Sequence, residues 1–158
     1  MNKIPKHPKL RGEWAEVHFL ARASEHGLHV SKPYGDCLPY DFIVEDNGRM
    51  LSVQVKSTSY MPSGRRPYSC HVRPLRERRY PVAAVDFLAA YIIPEDHWYI
   101  IPYTDLDKRK LFIPLDPGNR RNCYEKYFEA WNLLSTSTVA KATIARNRDQ
   151  ARREQMKR

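Results

Sequence analysis

The sequence predicts an α/β domain, a mixed central sheet flanked by helices, and three observations carry that expectation. An early segment repeats apolar residues at helical spacing, the next alternates as strands about a tight turn, and the middle of the chain holds further short apolar strands. The chain has 158 residues, which fits one domain. At that size a domain buries most of its apolar surface and needs no covalent or metal staple. Ten tyrosines and a good supply of aliphatic residues argue against disorder over the whole length.

The elements follow in order. Residues 1–9, with three lysines and two prolines, read as a lead-in. In GEWAEVHFLARASEHGL, Trp14, Val17, Leu20 and Ala21 recur as on one helix face, and Gly27 supplies the stop. LHVSKP gives a short first strand and Tyr40 to Glu45 a second. Asn47-Gly48 is a hairpin turn, and Arg49 to Ser57 is a third strand with Leu51, Val53 and Val55 on one face. SYMPSGRRP reads as a basic loop, YSCHVRPL as a strand, and VAAVDFLAAYIIP as a short helical turn feeding a buried strand. HWYIIP is another strand and KLFIPL a short one at an edge, with Pro94 and Pro102 marking strand ends. RNCYEKYFEAWNLL spaces Tyr124, Tyr127, Phe128, Trp131 and Leu134 as on a helix, where they serve a core or a subunit interface. A boundary falls near residue 137. Residues 1–137 form the domain, and 138–158 form a basic tail, helical or flexible, with seven Lys or Arg and little to bury.

The formal net charge is +9, from 27 Lys and Arg against 18 Asp and Glu. That excess suits a polyanion, because each neutralised phosphate releases counterions. Arg65, Arg66, Arg73, Arg76, Arg78 and Arg79 are dense enough for phosphate contact, with Arg146, Arg148, Arg152 and Arg153 adding to them from the tail. The three cysteines are scattered and form no C-x-x-C pair, which argues against a zinc knuckle and for reduced thiols. The N-terminal residues lack the apolar run of a signal peptide, and no stretch reaches the length of a membrane span. A cytoplasmic protein is expected.

The chemistry concentrates in LSVQVKSTS. Alternate strand residues share a face, so Gln54 and Lys56 point away from Val53 and Val55. A polar pair within an apolar strand is costly unless satisfied or used. The hairpin brings Asp41 level with them, and the preceding helix offers Glu16, with Glu13 on nearly the same face as its alternative. Such a set suits phosphodiester hydrolysis. Oxygens of Glu16, Asp41, Gln54 and the Val55 carbonyl would hold Mg2+, with Mn2+ able to substitute. Lys56 would orient the attacking water or stabilise charge growing on the phosphate. A plain structural hydrogen bond is the competing reading for Gln54. The histidines form no ligand cluster, and His18 reads as structural.

These residues resemble the PD-(D/E)XK nuclease superfamily: a helical Glu in RGEWAE, PYD at 39–41 and QVK at 54–56. With RGEWAEVHFLARASEHG, the KPYGD turn, VDFLAAYIIPEDHWYIIP and YEKYFEAW, the likeness extends over about residues 9–134, and it is to the endonucleases associated with group I introns. The resemblance implies a restriction-endonuclease-like fold, a catalytic set of Glu16, Asp41, Gln54 and Lys56, and a homing-type enzyme that cuts double-stranded DNA. Two departures stand out. Tyr40 separates Pro39 from Asp41, and Gln54 stands where most members carry Asp or Glu. Gln is used at this position in the intron-associated branch, but it equally fits a site that has lost activity. The expectation is therefore a Mg2+-dependent endodeoxyribonuclease. The alternatives are a DNA-binding protein with an inactive nuclease core and a structure-specific nuclease such as a Holliday junction resolvase. One centre per chain and two strands to cut imply a homo-oligomer, dimer or tetramer.

Overall fold

The computed structural model describes residues 4–35, 37–72, 85–107 and 109–135. Helix α1 spans Pro8–Glu25. Proline suits the first turn, where its missing N–H has no intrahelical partner to lose. The helix closes in a Schellman arrangement: Leu28 N–H reaches the Ala23 carbonyl at 3.0 Å and Gly27 N–H reaches Ser24 at 2.9 Å. Gly27 sits at φ +71, which a side chain would strain.

The face that α1 buries differs from the one its apolar spacing suggests. Ala15, Phe19 and Ala23 are buried, while Val17 is 64% and Leu20 41% exposed. Two alanines let the helix lie close to the sheet, and Phe19 fills the space between. Its ring lies 5.2 Å from Phe42 and 5.7 Å from both Trp98 and Trp131. Shape at the contact selected the stripe, and Val17 and Leu20 were left to solvent.

The strands are β1 (His29–Ser31), β2 (Phe42–Asp46), β3 (Arg49–Thr58), β4 (Tyr68–His71), β5 (Phe87–Ile92), β6 (His97–Pro102) and β7 (Phe112–Leu115). Asn47 at φ +50 and Gly48 at φ +81 close a two-residue turn between β2 and β3, with Asp46 opposite Arg49. Both φ values are positive, as a type I′ turn requires, and Asn-Gly meets that demand. The central sheet runs β1-β2-β3-β5-β6; β3 and β5 are parallel and the other pairs antiparallel. β4 and β7 form a separate antiparallel ribbon. The sheet thus has α1 on one side, over Val53, Val55, Ala89 and Ile100, and the ribbon on the other, over Leu88, Ala90, Tyr99 and Ile101.

The second expected helix does not form. Its segment holds two short 3-10 turns, Glu125–Tyr127 and Trp131–Leu134, separated by Glu129 at φ +48. Glu129 N–H donates to the Trp98 carbonyl at 2.8 Å, and its carboxylate accepts from Trp98 N–H at 2.8 Å and Trp131 Nε1 at 2.7 Å. Hydrogen bonds to β6 therefore outweigh helical propensity. The aromatic residues still enter the core: Tyr124 and Tyr127 on the ribbon side, Trp131 and Leu134 on the α1 side. Among the described residues β7 pairs only with β4. The helical turn expected at Val82–Ala84 and the tail at 138–158 lie outside the described residues. Among the described residues no helix is long and apolar enough to cross a membrane.

Candidate active site

The β2–β3 hairpin builds the centre of the site. Asp41 N–H donates to the Val53 carbonyl at 2.9 Å, and one Asp41 oxygen, Oδ2, accepts from Val55 N–H at 2.6 Å. Asp41 is thereby tied to both residues that flank Gln54. The burial pattern of β3 puts Val53 and Val55 into the α1-side core, so Gln54 and Lys56 face the other way.

Gln54 is 8% exposed, and its Nε2 donates to the Pro39 carbonyl at 3.1 Å. A carbonyl only accepts, so the NH2 end of the amide must turn to Pro39 and Oε1 must be the other end. That Oε1 is buried and, among the described residues, has no hydrogen-bond partner. A buried amide oxygen without a partner costs about 1–3 kcal/mol. Native interiors rarely tolerate that cost without a use for the atom.

The charges around Asp41 come from three elements. Burial raises the Asp41 carboxyl above its ordinary pKa; the Val55 N–H opposes the rise, Glu16 adds to it, and Lys56 and Lys32 oppose it. Glu16 on α1 thus stands near enough to Asp41 to act on it, whereas Glu13 is exposed. The structure brings Glu16, Asp41 and Lys56 into one electrostatic neighbourhood, with Gln54 on the same strand as Lys56, and half-buried Lys56 opposite Ala90 in the β3–β5 register. Lys56 also acts on the Cys70 thiol of β4, which burial pushes up to about 12. That thiol is protonated at neutral pH and offers no anionic ligand.

Carboxylate, amide and backbone oxygens suit a hard divalent ion, and among the described residues the Gln54 Oε1 is a buried oxygen with no hydrogen-bond partner. Among the described residues no three His, Cys, Asp or Glu side chains cluster as a metal site by themselves. Any ion here would need the amide and backbone oxygens as well.

A family model for the PD-(D/E)XK endonucleases matches residues 6–134. The chain belongs to this family. Among solved structures, the chain is similar to a bacterial homing endonuclease, I-Ssp6803I, at 29% identity and a TM-score of 0.71; the match covers 87% of this chain and 98% of that one. No curated protein sequence matches it.

Three residues of this neighbourhood, Lys32, Ser52 and Asp86, carry no signal in the sequence pattern. Lys32, just after β1, places Nζ 2.7 Å from Glu16 Oε2. Ser52, one same-face position before Gln54, exchanges hydrogen bonds with Asp86 at the head of β5. Its N–H and Oγ both donate to Asp86 Oδ2 at 2.8 Å, and Asp86 N–H donates back to Oγ at 3.0 Å. This clamp sets the β3–β5 register beside the site. His18 lies in an aromatic stack, 4.0 Å from Trp14 and 5.7 Å from Tyr91. Of the arginines expected at DNA, Arg65 is exposed. Arg66 is held by Glu95 at 2.5 Å and the Pro117 carbonyl at 2.7 Å. Arg73, Arg76, Arg78, Arg79, Arg146, Arg148, Arg152 and Arg153 lie outside the described residues.

Proposed function

We propose that the chain is a Mg2+-dependent endonuclease of the homing type that hydrolyses phosphodiester bonds of duplex DNA. The observation that carries this reading is the buried Oε1 of Gln54, unpartnered among the described residues, on the strand that also carries Lys56 and whose Val55 N–H holds the Asp41 carboxylate. The likeness to a homing endonuclease over most of the chain supports it.

Asp41, Gln54, the Val55 carbonyl and Glu16 are the groups that would hold the ion. When bound, a divalent ion polarises a phosphate oxygen and lowers the pKa of a coordinated water. The rest is the work of the chain's own groups. Val55 N–H fixes the Asp41 rotamer, and the Pro39 carbonyl holds the Gln54 amide by its NH2 end. Lys56 donates to the attacking water and stabilises negative charge as it grows on the phosphate. Each chain supplies one such centre, so cleavage of both strands calls for a two-fold assembly, a dimer or tetramer. Residues 138–158 add phosphate affinity without base recognition.

The test is nicking of supercoiled plasmid by wild type and Lys56→Ala, with Mg2+ or with chelator. Wild type should nick only with Mg2+, and Lys56→Ala should bind DNA without nicking. Mg2+-independent nicking, or equal nicking by the variant, would overturn the reading. A wild type that binds but never nicks would identify an inactive nuclease core. Preference for four-way junctions over linear duplex would identify a junction-cleaving enzyme.

A further inference from the structure

Lys32 is the unexpected member of the site. It follows β1 and precedes Pro33, and a residue before proline is held to extended backbone. β1 is registered on β2 with Ser31 opposite Ile43. The next position therefore stands beside Phe42 and Asp41, and Lys32 Nζ lies 5.8 Å from the Phe42 ring centre. From there it reaches across to α1 and binds Glu16 at 2.7 Å. Asp41 and Glu13 also attract it. The Lys32 side chain is 61% exposed and that of Glu16 only 21%. The acid is fixed in the site, and the ammonium approaches it from the solvent side on a flexible stem.

We propose that Lys32 is a built-in counter-ion that occupies Glu16 in the metal-free protein and must leave it for the divalent ion to bind. This inference rests on the reading of Glu16, Asp41 and Gln54 as a metal site. Glu16 and Asp41 repel one another in a partly buried place, and Lys32 and Lys56 both offset that repulsion. An ammonium held on Glu16 Oε2 and a divalent ion drawn to the same carboxylate repel one another, which favours exchange of one for the other on loading. Lys32 acts through Glu16, which makes it a positioning residue. Its effect is to weaken metal binding while keeping the empty site folded and charge-balanced.

The experiment is Mn2+ titration calorimetry on the full chain without DNA, at physiological ionic strength to suppress long-range charge effects. It compares wild type, Lys32→Met, Lys32→Arg, Glu16→Gln, Asp41→Asn and the Lys32→Met/Glu16→Gln pair, with melting in chelator as the check on folding. Lys32→Met should bind Mn2+ roughly two- to fivefold more tightly, the scale of one exposed ion pair. Lys32→Arg should stay near wild type, and Lys32→Met should have no effect once Glu16 is Gln. A purely structural Lys32 would lower the melting temperature and leave Mn2+ affinity unchanged or weaker, which overturns the proposal. So does a tightening that persists in the Glu16→Gln background, since that is a bulk charge effect. If wild type and Asp41→Asn bind Mn2+ alike, the metal-site reading itself fails, and the counter-ion proposal with it.

Discussion

β3 and β5 lie side by side and parallel, in register from Val53–Phe87 to Thr58–Ile92, yet they present opposite chemistries to the ribbon side of the sheet. On that side β5 offers Leu88, Ala90 and Ile92, all fully buried. Beside them β3 offers Gln54, Lys56 and Thr58. Both strands serve the same core on the α1 side, through Val53, Val55, Phe87, Ala89 and Tyr91. The difference separates two kinds of burial. β5 is buried for stability. On the ribbon side of β3, Gln54 and Thr58 are buried and Lys56 is half-buried although apolar residues would pack more cheaply, and Gln54 leaves an oxygen without a partner among the described residues. Thr58 is the exception that fits the rule, since its hydroxyl is satisfied by the Ser69 carbonyl at 2.7 Å.

The largest expected break between the strands is in catalysis. Lys56→Ala or Asp41→Asn should lower plasmid cleavage by about 10²–10³-fold or more, with DNA binding by gel shift intact. Loss of folding in both variants would make these positions structural, like their β5 neighbours. Next in size is a stability effect confined to β5. Leu88→Ala should cost about 2–5 kcal/mol in urea unfolding, because it empties a fully buried position. A cost under about 1 kcal/mol would show that the ribbon packs loosely on the sheet.

Gln54 tests the comparison from the site side. Gln54→Glu should raise Mn2+ affinity, since it adds a negative ligand beside Asp41, and Gln54→Ala should reduce cleavage more than stability. Unchanged metal dependence in both would leave Gln54 a hydrogen-bonding residue only. Gln54→Met should change stability by no more than about 1 kcal/mol, because it removes the unpartnered oxygen along with the bond to Pro39.

The smallest effect is a pH dependence. The Asp41 carboxyl has a raised pKa, chiefly from burial, so the folded state holds its proton more tightly than the unfolded state. The stabilisation from that proton is complete below the ordinary Asp pKa of about 4 and is lost as pH rises through the raised folded value. In chelator at neutral pH, Asp41→Asn should therefore melt above wild type, and the gap should close in acid. A gap independent of pH would place its origin outside this ionisation.

What the sequence revealed was local. Asn47-Gly48 requires a tight turn, and the alternation around it put Gln54 and Lys56 on one face and Asp41 across from them. What stayed hidden depended on partners far along the chain. Val17 and Leu20 match a helical stripe, but the sheet accepted Ala15, Phe19 and Ala23 because they fit its shape. Tyr124 to Leu134 carries helical spacing, yet β6 captured Glu129 and turned the segment. Lys32 was visible only as part of a turn, since nothing in the sequence joins it to Glu16 across the β1–α1 gap.

That capture of Glu129 has a further consequence. An outer strand normally exposes a row of N–H and C=O groups on which another chain can grow. On β6 the Trp98 N–H and C=O are both taken by Glu129, and Tyr99 bridges to Phe128. The opposite rim, β1, offers only three residues. A sheet blunted at one rim and occupied at the other resists extension by strand addition and the fibrous aggregation that follows from it. Any second copy of the chain would then be met through side-chain surfaces, which can be specific in a way that backbone pairing cannot.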